Sequence, residues 1–264
     1  MLVRLIGWPA TLVHGNTKVL DRWRFLSRRI PKARGTGERV LEVGCGTGGF
    51  TMGAARRGYV AVGLSWDQRN QTVAERRARM LGIANVSFPV CDVRELDSRS
   101  ELKGVFDIVI CCEVIEHIAD DARLLRAMNS CLKPGGRLYL TTPNLLYNSS
   151  QADIGPHSTS EDGGHVRRGY TPAMIRELCA QSGFEVEEIT EVSQVFSQFE
   201  SRLQWRLTQI IGNTATWPLM LPLRLLPPLL DGWLGRWLGR VMGWPGYCLG
   251  LSAYKKRYAS AGAR

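Results

Sequence analysis

Nowhere in this 264-residue chain do apolar residues run long enough to cross a bilayer. The most apolar stretch, Trp217 to Leu230, is 14 residues long and contains Arg224 and four prolines (218, 222, 227, 228). A spanning helix needs about 20 apolar residues. No secretory leader is expected: Met1 to Val13 is apolar but holds Arg4, Gly7 and Pro9, and no small-residue cleavage site follows. Cysteine pairing is lacking as well. The seven cysteines (45, 91, 111, 112, 131, 179, 248) show no paired spacing beyond the adjacent Cys111 and Cys112, which sit in an apolar run and read as core. A disulfide scaffold is thereby excluded, and a reducing, cytoplasmic compartment is expected. No internal repeat is found, which excludes a solenoid.

What is present suits one large α/β domain with an insertion or appendage. Hydrophobic residues make up 44% of the chain, ample for a buried core. The net charge of +10 is unevenly distributed. Residues 1–39 hold nine Lys or Arg against two acids, net +7; residues 40–200 hold sixteen against twenty-one, net −5; residues 201–264 hold nine against one, net +8. Basic flanks around an acidic middle suit anionic lipid or nucleic acid, or are solvated charge alone.

Hydrophobic periodicity predicts an amphipathic helix over 16–30, where Val19, Trp23, Leu26 and Ile30 recur at helical spacing. Strands and helices then alternate. Strands are predicted at 39–43, 59–64, 86–90, 105–112 and 137–142, with helices at 48–57, 67–82 and 119–132. Such alternation means a parallel sheet covered on both faces. A polar loop over 144–169 precedes a helix at 171–182 and a strand at 184–192. A long insertion, roughly 196–245, separates that strand from a last one at 247–254.

The most informative segment is Val40-Leu41-Glu42-Val43-Gly44-Cys45-Gly46-Thr47-Gly48-Gly49-Phe50. An apolar strand ends in an acid, then in glycines at every second position, then in a helical pattern. Glycines so close together let a backbone turn sharply and approach a ligand where a Cβ would collide. The loop stands at the carboxyl end of the first strand, where open α/β sheets bind nucleotides. Gly44, Gly46 and Gly49 also satisfy G-x-G-x-x-G, so the loop by itself admits a dinucleotide.

Taken with three further motifs, the chain resembles the class I S-adenosylmethionine-dependent methyltransferases over about 38–195 plus the final strand. The motifs are Asp92 just after the third strand, Phe106-Asp107-Ile108-Val109 opening the fourth, and the Leu132-Lys133-Pro134-Gly135-Gly136 turn into the fifth. The resemblance implies a doubly wound, Rossmann-like sheet of seven mostly parallel strands with an antiparallel last strand. The helical insertion before that strand is read from this chain's own pattern, since the ubiquinone-biosynthesis branch carries its apolar insertion after strand five, where this chain has the polar loop 144–169. It also implies S-adenosyl-L-methionine as cofactor. In that reading Gly44, Cys45, Gly46 and Gly48 present backbone amides to its amino-acid end, and Glu42 braces the loop. Asp92 and Val93 flank the adenine, Glu113 is also counted among the cofactor-binding residues, and Trp66 covers the adenine face or is plain core. Where the family usually ends its second strand with an acid on the ribose hydroxyls, this chain has Ser65. Either Ser65 bonds the ribose or Asp67 reaches back.

Strand four runs into Glu113-Val114-Ile115-Glu116-His117, and His165 lies in Gly163-Gly164-His165 before the next helix. If a helical turn starts at Glu113, it shares one face with Glu116 and His117. This pattern resembles two metal-dependent branches, the ubiquinone-biosynthesis O-methyltransferases and the small-RNA 2′-O-methyltransferases. The resemblance implies Glu113, Glu116, His117 and His165 as ligands of a Mg²⁺-type ion that holds substrate hydroxyls. Without a metal, His117 serves as general base, with Glu116 and His165 beside it, or merely packs. His157, with the acids Glu161 and Asp162 nearby, is a weaker substitute for His165, and His14 is read as a surface residue.

Four parts are expected: a basic amphipathic N-terminal helix (1–37), the methyltransferase domain (38–195 with 246–256), a Trp/Arg/Pro-rich helical insertion (196–245) and a basic tail (257–264). In the insertion Trp233, Trp237 and Val241 share a helical face with Arg236 and Arg240 to one side. Gly235, Gly239 and Gly243 allow close helix contact. This is a lid, a dimer surface or an element lying on a membrane interface. The expected activity is O-methylation of a lipophilic, glycolipid-like or polyketide-like small molecule, in the cytoplasm or peripheral on an anionic membrane. The rivals are RNA 2′-O-methylation, cyclopropane-synthase-like lipid C-methylation and an inactive membrane adaptor. Clustered Trp, Leu and Pro argue against nucleic acid. The oligomeric state is left open.

Overall fold

The computed structural model describes residues 2–13, 17–35, 37–147 and 158–256. His14, His157 and the tail 257–264 lie outside the described residues. Seven strands form one sheet: β1 (Arg39–Val43), β2 (Val60–Leu64), β3 (Val86–Ser87), β4 (Phe106–Cys112), β5 (Leu132–Pro143), β6 (Phe184–Val192) and β7 (Cys248–Lys255). Their order is β3-β2-β1-β4-β5-β7-β6. Strands β1 to β5 pair in parallel, and β7 runs antiparallel between β5 and β6. The expected doubly wound sheet with a reversed last strand is the observed one.

The strand runs are apolar on both faces because helices cover both faces. On one side Leu41, Val43, Val109, Cys111, Leu138 and Leu140 pack with α6 (Asp121–Cys131) and α7 (Pro172–Gln181). On the other, Val40, Ala61, Ile108, Ile110 and Tyr139 pack with α3 (Thr17–Arg29) and α4 (Gly49–Ala55). All seven cysteines are free, as their spacing predicts. The remaining sheet helix is α5 (Gln68–Met80), N-capped by Asp67.

Three boundaries differ from expectation. Strand β3 stops at Ser87, before Pro89, which has no N–H to give a ladder; Val90 rejoins only as a single bridge to Ser65. Strand β5 begins five residues early, at Leu132, and takes in the Lys133–Gly136 turn through a register shift against β4. The helix predicted over 16–30 is found as α3, but the 1–37 segment expected as a single helix also holds α1 (Leu2–Ile6) and α2 (Pro9–Val13) among the described residues. It packs into the fold. Phe25, Leu26 and Ile30 are buried in the second core, the Tyr139 hydroxyl donates to Arg29 O, and Trp8 Nε1 donates to Gly49 O at 2.9 Å.

Between β6 and β7 lie α8 (Val195–Met220), α9 (Pro227–Leu230) and α10 (Trp233–Val241). Helix α8 breaks at Gly212, whose φ of 75° and ψ of 163° no helix accommodates. No helix of the described residues is long and apolar enough to cross a membrane.

Candidate active site

The carboxyl ends of β1, β2 and β4 surround a cavity of about 410 Å³. Its floor is the glycine loop. Gly44, Gly46 and Gly48 have φ values of 75°, 50° and 77°, the left-handed region that side chains avoid. A Cβ on Gly44 would fall 2.3 Å from Val114 Cγ2, and one on Gly48 would fall 2.6 Å from the Phe88 ring. A Cβ on Gly46 would meet no protein atom, and Gly46 lines the cavity. The loop therefore leaves open space above its backbone while its flanks are packed tight.

Of the residues expected around a cofactor, Gly44, Gly46, Ser65, Trp66, Asp92, Val93 and Glu113 line the cavity, as does His117. Glu42, Cys45, Gly48 and Asp67 do not. Glu42 is buried beneath the loop and accepts from the Thr51 hydroxyl at the start of α4, so it braces the helix rather than the glycine amides. Burial pushes its carboxyl up to about 8. Cys45 is buried, its sulfur 3.3 Å from Gln71 Oε1. Asp67 turns to Arg69, accepting from its backbone N–H and its guanidinium; it does not reach back to the cavity. Ser65 Oγ accepts from Asp67 N at 3.2 Å and remains on the wall.

Asp92 caps the following 3₁₀ turn and pairs with Arg94, whose hydrogen bonds hold its carboxyl below the usual range. Arg94 also reaches Glu161 at 3.2 Å, linking the segment after 158 to the cavity wall. Arg94 and Asn70 line the cavity without having been singled out in the sequence, and Glu161 and Asp162, noted there only as acids near His157, line it too. They are ordinary surface polar residues by type, and only the fold turns them inward.

Three of the four expected metal ligands come together. Ligand atoms of Glu116, His117 and His165 all lie within 4.8 Å of one another. A 3₁₀ turn, Ile115–His117, brings Glu116 and His117 to the end of β4, and the segment 158–170 brings His165. The His117 and His165 rings meet edge to face at 4.5 Å. His117 Nδ1 lies 3.0 Å from Gly164 O, a contact in which the ring N–H donates to the carbonyl and which fixes the ring's orientation. Glu116 Oε2 accepts from Thr142 Oγ1 at 3.3 Å, while Glu116 Oε1 is buried with no hydrogen-bond partner among the described residues. Burial, then the neighbouring Glu113, pushes the Glu116 carboxyl well above the usual range. A cation is the natural complement of such an oxygen.

Glu113 does not join them. Its Oε2 is held by Arg22 Nη2 at 2.8 Å and its Oε1 by Thr141 Oγ1 at 3.0 Å. The predicted helical turn does not start at Glu113: its φ of 54° points the backbone into the left-handed region, so it does not share a face with Glu116. Arg22 comes from α3, 91 residues away, and no local pattern could have announced it.

The family model described as "Methyltransferase domain" matches residues 16–189, well over half of the chain. The chain belongs to this methyltransferase family. A ubiquinone biosynthesis O-methyltransferase of Marinobacter nauticus is 30% identical over 178 residues, 64% of this chain and 71% of the relative. That of Acinetobacter baylyi is 36% identical over 108 residues, 41% of this chain, and is spanned over only 44% of its own length. Among solved structures, the S-adenosylmethionine-dependent methyltransferase of Mesorhizobium loti superposes with a TM-score of 0.59 at 18% identity, covering 92% of this chain and all of its own. That likeness speaks for the fold. The protein is an S-adenosylmethionine-dependent methyltransferase of the Rossmann-like class I architecture.

Proposed function

We propose that the cavity above the glycine loop takes S-adenosylmethionine, and that the enzyme methylates a hydroxyl of a lipophilic small molecule held at Glu116, His117 and His165. The observation that carries this reading is the buried Glu116 Oε1, which has no hydrogen-bond partner among the described residues and lies 4.0 Å from His117 Nε2, beside two imidazoles at the cavity rim. When bound, the sulfonium supplies an electrophilic methyl group, so the protein's task is to place an oxygen in line with it and remove a proton.

Each wall has a role in that reading. Gly44 and Gly46 admit the donor's amino-acid end, Ser65 hydrogen-bonds a ribose hydroxyl, and Asp92 faces the adenine amino edge with Trp66 over the ring. Glu116, His117 and His165 would hold a divalent cation, whose charge lowers the pKa of a coordinated hydroxyl. One carboxylate and two imidazoles suit a first-row transition ion better than Mg²⁺ itself, and Arg22 keeps Glu113 out of the set. The names of the curated relatives favour a hydroxylated ring as acceptor.

The test is transfer of a labelled methyl group from S-adenosylmethionine to a catechol bearing an alkyl tail, with and without chelator. Transfer that needs a divalent cation and falls at least a hundredfold in His165→Ala, with donor binding by calorimetry unchanged, is the expected result. Undiminished turnover in chelator would remove the metal and leave His117 Nε2 as proton acceptor. Donor binding without transfer to any hydroxyl would overturn the acceptor reading.

A further inference from the structure

Helix α10 has two unlike faces. Gly235 and Gly239 are its inner face: a Cβ on Gly235 would meet Asp231 Oδ1 at 2.5 Å, and one on Gly239 would meet Trp244 O at 2.8 Å. Nothing larger than glycine fits there, so the helix can dock only this way round. Its bulky residues are thereby forced outward. Trp233 is 75% exposed, Trp237 49% and Val241 67%, and the two indoles stack at 6.3 Å. Leu229, 74% exposed, continues the same kind of surface on α9. A monomer has no use for stacked tryptophans in water, where apolar area costs about 25 cal/mol per Å².

Beside this apolar surface is a cleft of about 350 Å³ whose wall includes Arg24, Arg28 and Arg236, drawn from α3 and α10, with Asp21, Glu188, Glu191 and Asp231 also on it. No ion pair engages any of the three among the described residues, whereas Arg29 on the same wall is held by Glu188 at 2.7 Å. Burial, and then the charge of Arg28, pull the Arg24 guanidinium below its ordinary value, against the opposing charges of Asp21 and Asp231. Asp231, also on the wall, is spent on capping α8 through Phe196 N and Ser197 N. Guanidiniums in no ion pair among the described residues, next to exposed tryptophans, match a surface that is anionic at headgroup depth and apolar just beneath.

We propose that the outer face of α9 and α10, with the Arg24–Arg28–Arg236 cleft at its edge, is a docking surface for an anionic phospholipid bilayer. The surface lies on the bilayer rather than across it, since none of the described helices is long and apolar enough to span. A second copy of the chain fits less well. A two-fold contact here would bring the same arginines together. Nucleic acid would leave the tryptophan and leucine face in water. This inference is independent of which acceptor is methylated; it says only where the enzyme sits.

The experiment is co-sedimentation of the full chain with vesicles of phosphatidylcholine, with and without one third phosphatidylglycerol, at low and high salt. Binding to the anionic vesicles, weakened by salt, is expected. Trp233→Ser with Trp237→Ser should lower partitioning at least tenfold at either salt. Replacing Arg24, Arg28 and Arg236 by Gln should lower it roughly fivefold per charge at low salt and flatten the salt dependence. Binding of S-adenosylmethionine by calorimetry should be unchanged in both variants, which reports an intact fold. No sedimentation with anionic vesicles, or variants that sediment like the parent, would overturn the proposal. So would concentration-dependent dimers in ultracentrifugation that the tryptophan variant dissolves.

Discussion

At Gly44 one added carbon meets both a backbone and a steric obstacle. Its φ of 75° already disfavours a side chain, and Val114 Cγ2 stands 2.3 Å from where a Cβ would be. Gly44→Ala is therefore expected to weaken donor binding at least tenfold by calorimetry, because the loop must shift where backbone approach matters most. Unchanged affinity would mean the loop does not cradle the donor. Arg22 makes a second residue-scale case. It and Glu113 are only 14% and 16% exposed, so removing the cation strands a largely desolvated carboxylate. Arg22→Met should cost roughly 2–4 kcal/mol in urea unfolding, at the low end of buried pairs because Thr141 still serves Glu113. Arg22→Lys should recover part of that loss, since it restores the charge but not the planar fork. The glycines were readable because φ > 0 has a residue signature; Arg22 was not, because an ion pair across 91 positions leaves no periodic trace.

Helix α10 poses the opposite problem from a propensity table. Alanine is a better helix former than glycine by about 1 kcal/mol, so Gly239→Ala in isolation should stabilise. Here its Cβ would lie 2.8 Å from the Trp244 carbonyl, a backbone atom that cannot swing away. Overpacking of that kind costs about 1–3 kcal/mol, and we expect a net loss of roughly 1 kcal/mol in the urea midpoint. A gain would show that α10 is not docked as described. Elements with a period in the sequence, such as β4 and α6, lie where the pattern puts them. Elements set by a partner do not: β5 starts at Leu132 because Phe106 of β4 pairs there, and β3 ends early at a proline. The E-x-x-E-H pattern brought Glu116 and His117 to one place, but a left-handed Glu113 took the first acid elsewhere.

The whole molecule carries a pH signature from acids that the fold buries. Burial pushes Glu42 up to about 8 and Asp21 up to about 7. Unfolded, both release their protons near pH 4; folded, they keep them to those higher values. Between these limits the native state binds more protons at these two groups, so their contribution to stability is full below about pH 4 and falls as pH rises towards 8. The slope approaches about 1.4 kcal/mol per pH unit for each group. Glu42→Gln, which keeps the shape and a neutral amide, should flatten the decline between pH 5 and 8 by about one proton's worth. Urea midpoints that do not vary with pH in the parent would contradict this.

The sequence by itself determined the α/β alternation, the glycine loop at 44–48, the reduced cysteines and the family. These are local: a period, a φ preference or a spacing read along a few residues. Tertiary structure decided what no window contains. It folded α3 onto the sheet and sent Arg22 to Glu113, brought His165 from a distant loop to Glu116 and His117, and aligned Arg24 and Arg28 with Arg236. The physical reason is the same in each case: charge pairs, ligand groups and docked helix faces are set by distance in space, and burial makes them matter. The glycines mark where a donor would lie; the contacts across the fold mark what stands around it.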